Sequence, residues 1–519
     1  MDIQAQKLNE SHIRLKFSSR GIASELSDYF SFYVKGHQFM PAYKNKIWDG
    51  KIRLCKLLPN GDAQFYVGLM HQLEIFCIDR EYTLERDYEN CLDLVTVEEL
   101  TKFIADLNIH SGGKKIDVRD YQFKCIHDFI NTKRMVALSP TSSGKSLILF
   151  IIIRFLMENR CKKCLLIVPN TSLCHQLSSD FADYSSHHEW DAEKCIHLIF
   201  AGKDKDSDKE IILSTWQSLQ SRSMNTRSKK IKAEISTASA IDYFKQFDLV
   251  LCDEAHLASG EEISNIIEKC TNATYRIGVT GTLNGEKVHS LQLESLFGQV
   301  TQVTTTKKLM DKKEVTKLRI KCLILKYPED TTKLTQNLKY QEEIGFLISN
   351  KTRNKFIKNL VLSLKGNTLL LYQFVESHGQ ILYDLLKESK YAKDKVIYFI
   401  HGSIDGEERE FIRKSMETQD NVILVGSVGT VSTGTNIKNL HNIVFASPSK
   451  SRVRNLQAIG RILRLSDNKN IATLYDIADD LRYKKHNNYT ISHFQERLKI
   501  YDSEKFDYKL TKINITDIQ

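Results

Sequence analysis

The sequence predicts an α/β chain: two tandem, doubly wound parallel-sheet lobes behind a small N-terminal α+β domain. Three observations predict it. At 519 residues the chain is too long for one compact core, and about 100–200 residues per domain gives several units. Short apolar runs that end in polar or turn residues alternate with helical patterns over most of the chain, which is how strands buried on both faces of a parallel sheet read. One such run, Met135-Val136-Ala137-Leu138, passes through the small-residue stretch Ser139 to Ser146 into a second apolar run, Leu147 to Ile153. That is a strand, a loop and a helix in succession.

Residues 1–111 mix the alternating runs Ile13-Arg14-Leu15-Lys16-Phe17 and Lys51-Ile52-Arg53-Leu54 with helix-like stretches near 22–32 and 96–107, the pattern of a small α+β domain. Ser111-Gly112-Gly113-Lys114-Lys115 has linker composition and sets a boundary near 112. The first lobe, 112–308, takes strands from the apolar runs at 135–138, 164–168, 211–213, 249–252 and 276–279. A second series at 369–372, 396–399, 422–425 and 443–446, beyond a polar stretch at 305–316, gives the second lobe, 309–480. Residues 481–519 read as a helical tail packed on the lobes.

A net charge of +10 and a pI near 8.8 favour a polyanionic partner, or serve solubility alone. The stretch 221–240 is rich in Ser, Thr, Lys and Arg and reads as a surface insertion, with contact to DNA as the sharper alternative. Eleven scattered cysteines exclude a stapled secreted scaffold and suit a reducing cytoplasm. The pair Cys161 and Cys164 has zinc-like spacing but no second pair, which makes buried thiols the simpler reading. The N-terminus carries no signal-peptide pattern, and the longest apolar run breaks at Arg154, short of the roughly 20 residues that span a bilayer.

The chemistry begins at the loop. Backbone N–H groups of Thr141, Ser142, Ser143 and Gly144 at a helix N-terminus suit phosphate oxygens, the Lys145 ammonium reaches β- and γ-phosphates, and the Ser146 hydroxyl suits Mg²⁺. Such a loop usually begins with Gly, where this chain has Ser139, which lacks glycine's freedom at positive φ. Asp253-Glu254-Ala255-His256 follows the run 249–252 directly, so two carboxylates stand at a strand end of the same lobe. Ligands of doubly wound sheets bind at the carboxyl ends of strands. Asp253 there suits Mg²⁺, usually through water, and Glu254 suits the orientation of an attacking water.

The order Arg119-Asp120-Tyr121-Gln122, Ser139 to Ser146, Asp253 to His256, Thr280-Gly281-Thr282 and Gln457-Ala458-Ile459-Gly460-Arg461-Ile462-Leu463-Arg464 resembles helicase superfamily 2 across roughly 115–480. The resemblance implies two RecA-like lobes, a DEAH-box-like motor and ATP with Mg²⁺. It implies that Gln122, with Arg119, reads the adenine edge, and that His256, Thr280 and Thr282 couple nucleotide state to lobe movement. It also implies that Gln457, Arg461 and Arg464 complete catalysis from the second lobe. The two arginines are three apart, hence on one helix face, and such arginine fingers contribute roughly 10³–10⁵ in rate. Asn170, Thr171, Thr215, Gln217, Ser218, Thr430 and Ser432 resemble the family's strand contacts, whose hydroxyls and amides suit phosphate oxygens. Trp216 suits packing better than stacking on a base. Gly434 and Asn436 resemble nucleotide-facing positions, with Asn436 where many relatives carry an acidic ribose ligand.

In the N-terminal domain Lys35, Lys44, Lys46, Lys51, Arg53 and Lys56 interleave with Tyr33, Phe39, Tyr43 and Trp48. That composition suits nucleic acid; the bland alternative is a domain with core aromatics and solvated lysines. Ile47-Trp48-Asp49-Gly50-Lys51-Ile52-Arg53-Leu54, Tyr475-Asp476-Ile477-Ala478-Asp479-Asp480 and the tail from Tyr501 to Tyr508 resemble the UvsW-type bacteriophage helicases. This implies a monomeric enzyme of the host cytoplasm, with single-strand-binding or recombination proteins as partners, that unwinds and remodels branched DNA and RNA–DNA hybrids in recombination, repair and replication control. The rivals are a duplex DNA translocase that does not separate strands and an ATP-gated nucleic-acid clamp.

Overall fold

The computed structural model describes the chain apart from residues 89–93, 201–205, 224–241, 405, 432–436, 438, 448–450, 465–468, 470 and 518–519. The basic stretch expected as an insertion at 221–240 therefore falls mostly outside the described residues, as do Ser432, Gly434 and Asn436. The chain divides into two compact units, Met1–Ser139 with Gly144–Val303, and Pro140–Ser143 with Thr304–Gln519.

The first unit opens with a five-stranded sheet in the order Cys55–Leu57, Ala63–Tyr66, His12–Phe17, Ile3–Lys7, Leu84–Arg86. Neighbours pair antiparallel except the last two strands, which are parallel. Alternation decides which face is covered: Ile3, Ala5, Ile13, Leu15, Ala63 and Phe65 turn inward. Leu26 and Phe30 close that face from the helix Arg20–Tyr29 and its end, and Leu73 and Phe76 from the helix Met70–Asp79. A short hairpin, Ser31–Tyr33 with Lys51–Arg53, carries the aromatic and basic segment.

The same unit continues into a seven-stranded, all-parallel sheet, ordered Ile196–Ile199, Ile211–Thr215, Cys164–Val168, Leu249–Asp253, Tyr275–Thr280, Arg134–Leu138, Val300–Gln302. Each expected strand of this lobe forms, because these runs are apolar on both sides and helices cover both faces. One face holds the helix Lys145–Asn159, buried from Leu147 to Leu156. Val95, Leu100, Leu107 and Ile109 join that face. The helix Val97–Asp106 is thus built into the first lobe, upstream of the Gly-rich segment at 111–115.

Polar and apolar contacts fix the N-terminal sheet to this lobe. Ser11 Oγ donates to Glu268 O (2.7 Å) and accepts from the buried Arg276 (2.8 Å). Arg134 pairs with Glu10 at 3.0 Å, Tyr66 OH donates to Glu268 (2.9 Å), and Leu291 completes the N-terminal core.

The second unit is built on another seven-stranded parallel sheet, ordered Ile397–Ile400, Ile423–Ser427, Thr368–Tyr372, Asn442–Phe445, Ile471–Asp480, Lys317–Lys326, Tyr508–Asn514. The tail differs from the helical expectation. After the helix Tyr489–Ser503 it returns as the strand Tyr508–Asn514, parallel to Lys317–Lys326. An alternating YKLTKIN segment with β-branched and aromatic residues suits an edge strand. Beneath the tail, Asp476 is buried against Arg497 (2.7 Å) and Tyr501 OH (2.8 Å), and Asp479 against Arg353 (2.8 Å) and Tyr327 OH (2.8 Å). Among the described residues, no helix is long and apolar enough to cross a membrane.

Candidate nucleotide site and nucleic-acid contacts

The strand Arg134–Leu138 delivers its chain to Ser139, whose N–H donates to Thr280 O of the neighbouring strand (2.8 Å). Ser139 is fully buried. It does not adopt positive φ; the left-handed positions of the loop are Ser142 (φ 68°) and Gly144 (φ 80°). A serine is thus accommodated where such loops usually begin with glycine. Ser142 Oγ is buried with no partner among the described residues. Ser143 Oγ donates to Pro140 O (2.6 Å), tightening the turn, and Thr141 is half-buried between them.

Gly144 caps the helix Lys145–Asn159. A Cβ there would overlap Gln122 Nε2. Gln122 is buried in the first turn of Asp120–Thr132, its Oε1 accepting from Arg119 N (2.9 Å), while the Arg119 guanidinium reaches Tyr121 OH (2.8 Å). The predicted adenine reader therefore packs on Gly144, at the end of the loop expected to hold phosphates. Ser146 Oγ lies 2.8 Å from Tyr184 OH.

The strand Leu249–Asp253 ends beside this loop. Asp253 is buried, and desolvation, reinforced by Glu254, pushes its carboxyl up to about 6 despite the opposing charge of Lys145. Its Oδ1 accepts from Glu254 N (2.9 Å). Glu254 holds left-handed backbone, φ 51°, a conformation that costs of order 1–3 kcal/mol and collects at functional sites. His256 Nδ1 stands 3.2 Å from Glu254 Oε2 and 3.0 Å from Thr280 Oγ1. Thr280 Oγ1 spends its hydrogen on Thr282 O (3.0 Å), so His256 Nδ1 is the donor. One imidazole thereby ties a carboxylate to the threonine of the adjacent strand. Hard oxygen donors, Asp253 and Ser146, suit Mg²⁺, and a divalent cation would hold Asp253 ionised where burial now favours its proton.

In the second unit, Gln457 and Arg461 lie on the helix Arg452–Ile462. Arg464 does not share that helix face. It falls in the turn beyond the helix end, where its carbonyl accepts from Thr316 Oγ1 (3.0 Å). The chain leaves the helix there because Thr316 N also takes Leu463 O (2.8 Å).

The expected strand contacts cluster at strand ends. Asn170 caps the helix Thr171–Tyr184 by accepting from Leu173 N (3.0 Å), Thr215 Oγ1 meets Ser218 Oγ (2.9 Å), and Gln217 donates to Pro169 O (3.3 Å). Thr430, in the second unit, accepts from Ser427 Oγ (2.7 Å). Trp216 packs against the sheet core, as expected of it. In the N-terminal hairpin, Tyr33 and Phe39 are 58% and 72% exposed, so these aromatics are not core. Lys51 Nζ sits 4.9 Å over the Tyr33 ring. Arg53, by contrast, is paired with Asp49, whose carboxyl it holds near 2.

Two groups carry no sequence signal and stand out only in three dimensions. His289 Nε2 lies 2.9 Å from His256 O, and Glu294 on the same helix meets His71 at 2.7 Å.

Comparison with known proteins places these sites in a family context. Residues 2–87 match the family described as DNA helicase UvsW, N-terminal, 115–285 match type III restriction enzyme, res subunit, and 352–466 match the helicase conserved C-terminal domain. The chain is 32% identical to the ATP-dependent DNA helicase uvsW of Enterobacteria phage T4, over 99% of this chain and 100% of that protein. The crystal structure of T4 UvsW aligns with a TM-score of 0.50 at 30% identity, over 99% of this chain and 100% of that one. The DNA-bound type ISP restriction-modification enzyme LlaBIII aligns with a TM-score of 0.56 over 78% of this chain and 32% of that one; at 14% identity the likeness is one of fold.

Proposed function

This chain belongs to the UvsW family of ATP-dependent DNA helicases, and from that membership we propose that it unwinds and remodels branched DNA, including forks, junctions and D-loops, and RNA–DNA hybrids in recombination, repair and replication control. The observation that carries the reading is the approach of His256 Nδ1 to Glu254 Oε2 together with its hydrogen bond to Thr280 Oγ1, next to Asp253 and Lys145. A carboxylate fixed by a neighbouring imidazole is suited to hold a water against a phosphoryl group, and the threonine beyond it gives that carboxylate a mechanical link to the next strand.

In this mechanism Lys145 and the N–H groups of Thr141 to Gly144 hold the β- and γ-phosphates, and Gln122 with Arg119 seats the base. Mg²⁺, when bound through Ser146 and Asp253, supplies charge neutralisation of the phosphates. Glu254 orients the attacking water. Gln457, Arg461 and Arg464 act on the γ-phosphate, and His256, Thr280 and Thr282 report its loss. Asn170, Thr171, Thr215, Gln217, Ser218, Thr430 and Ser432 grip the backbone of the strand, with Gly434 and Asn436 toward the nucleotide. The exposed hairpin around Lys51 and Arg53 supplies further contacts. Its exposed aromatics support a nucleic-acid surface. The domain plan 1–111, 112–308, 309–480 and 481–519 follows from the same reading in outline, with the helix Val97–Asp106 counted to the first lobe and the strand Tyr508–Asn514 to the sheet of the second, as do a monomeric state and residence in the host cytoplasm, where the free thiols of the described cysteines persist.

The test measures ATP turnover alone and with single strands, duplex and a branched junction, beside strand separation on forks and translocation on unbranched duplex. Junction-stimulated turnover with fork unwinding is expected, and Lys145→Ala abolishes both. Translocation without strand separation would replace this reading with a duplex translocase, and nucleic-acid binding with negligible turnover would replace it with a clamp.

A further inference from the structure

The helix Lys287–Phe297 lies outside every motif used above and faces three neighbours at once. Leu293, Leu296 and Phe297 enter the core of the parallel sheet. Leu291 enters the core of the N-terminal domain. His289 turns to the DEAH box, with Nε2 2.9 Å from the backbone oxygen of His256. A carbonyl oxygen only accepts, so Nε2 carries the proton, and His289 Nδ1 is buried with no partner among the described residues. Burial pushes the imidazole pKa down, which keeps this single-donor tautomer.

The far end of the helix is held by the N-terminal domain. Glu294, 7% exposed, accepts from Gln72 (3.1 Å) and Ser290 Oγ (3.1 Å) and pairs with His71 (2.7 Å). Gly68 lies so close that a Cβ would overlap Glu294 O and stand 2.7 Å from Ser295 O. Backbone therefore packs on backbone at this end, which leaves little room for the helix to slide independently of the N-terminal domain.

We propose that His289 is a positioning residue for the DEAH box: its bond to His256 O holds His256 and Glu254 in register, and the helix carrying it makes that register depend on the docking of the N-terminal domain. The inference rests on the reading of Glu254 and His256 as hydrolytic and coupling groups. It deepens that reading by naming what holds them, and it makes the N-terminal domain a regulator of ATP turnover as well as a contact surface.

The full chain tests it. His289→Leu removes the donor, His289→Gln places an amide N–H where Nε2 stood, Glu294→Gln weakens the domain contact, and His256→Ala is the reference. Steady-state ATP turnover is measured with and without forked DNA, with melting temperatures in parallel. His289→Leu is expected to lower the DNA-stimulated kcat about tenfold with KM for ATP within about twofold, and His289→Gln to restore it to within about twofold, the pattern of a group acting in the chemical step rather than in ground-state binding. Glu294→Gln is expected to lower DNA stimulation about threefold while leaving DNA-free turnover unchanged. Combined with His289→Leu it should add no further loss, since both act on one linkage. Full DNA-stimulated turnover in His289→Leu, beside loss in His256→Ala, overturns the positioning role and leaves the proposed function standing. Equal loss in His289→Leu and His289→Gln overturns it as well, and this comparison decides the matter if His289→Leu melts early. Additive loss in the double variant overturns the link to the N-terminal domain. Full turnover in His256→Ala sinks the underlying reading of the box itself.

Discussion

Gly144 meets two demands at once: its φ of 80° lies where only glycine is at ease, and Gln122 occupies the space a side chain would need. Gly144→Ala should therefore weaken nucleotide binding about tenfold or more by displacing Gln122 and reshaping the loop, checked by titration with a fluorescent ATP analogue. Asp253 gives the residue-scale pH prediction. Its carboxyl is raised from the ordinary 3.8 to about 6, so the folded state holds the proton more tightly than the unfolded chain, and folding stability falls as pH rises through that window. Asp253→Asn is expected to raise the melting temperature of the nucleotide-free protein by about 2–4 °C at pH 7.5. The gain should shrink toward pH 5 as the native Asp253 takes up its proton, while ATP turnover is lost at every pH; a gain as large at pH 5 as at pH 7.5 contradicts the assignment. The placement of Lys145 at a helix start and of Asp253, Glu254 and Thr280 at strand ends was legible in the sequence because its signal is local, a few residues of fixed type after an apolar run. His289 and Glu294 were not, since a histidine and a glutamate on an otherwise ordinary helix acquire meaning only from what folds against them.

At the scale of elements, the parallel strands were legible wherever an apolar run ended in a turn, as at Cys164–Val168 and Ile423–Ser427. Ile471–Asp480 shows where that signal weakens. The strand carries three aspartates and no long apolar run, yet Asp476 and Asp479 are buried because Arg497, Tyr501, Arg353 and Tyr327 arrive from distant segments to meet them. The edge strand Tyr508–Asn514 was missed for a related reason: one short alternating run after a helix does not announce its partner Lys317–Lys326, far earlier in the chain. Arg497→Met should destabilise the second unit by about 3–5 kcal/mol, because it strands a buried carboxylate. Chemical denaturation followed by tryptophan-independent circular dichroism checks it. Adding Asp476→Leu should recover much of the loss, and failure to recover would mean that packing of the arginine stem, rather than the orphaned charge, dominates.

At the scale of the whole molecule, the N-terminal domain is bound to the first lobe by buried groups rather than strung from it. Arg276 sits fully buried with hydrogen bonds to Ser11, Cys270 O and Ala273 O, and Arg134 meets Glu10. Arg276→Ala is expected to cost about 2–4 kcal/mol by leaving those acceptors unpaired. It should also raise amide hydrogen exchange in residues 8–12 and 268–276 ahead of the parallel-sheet core; uniform exchange across the first unit would show that the contact does not hold the domains together. The order of motifs made the tandem architecture readable from sequence, but this docking was not, since each of its residues is unremarkable alone.

Leu291 completes the N-terminal core from a helix far downstream, beyond most of the first lobe. In evolutionary terms the domain is therefore a poor candidate for shuffling. Grafted onto a different motor, it would bring a core with a hole in it; deleted, it would leave an apolar leucine and an acidic helix end facing water. Recombination would then be expected to pass the two on together, with Gly68 and the end of the helix Lys287–Phe297 changing only in step.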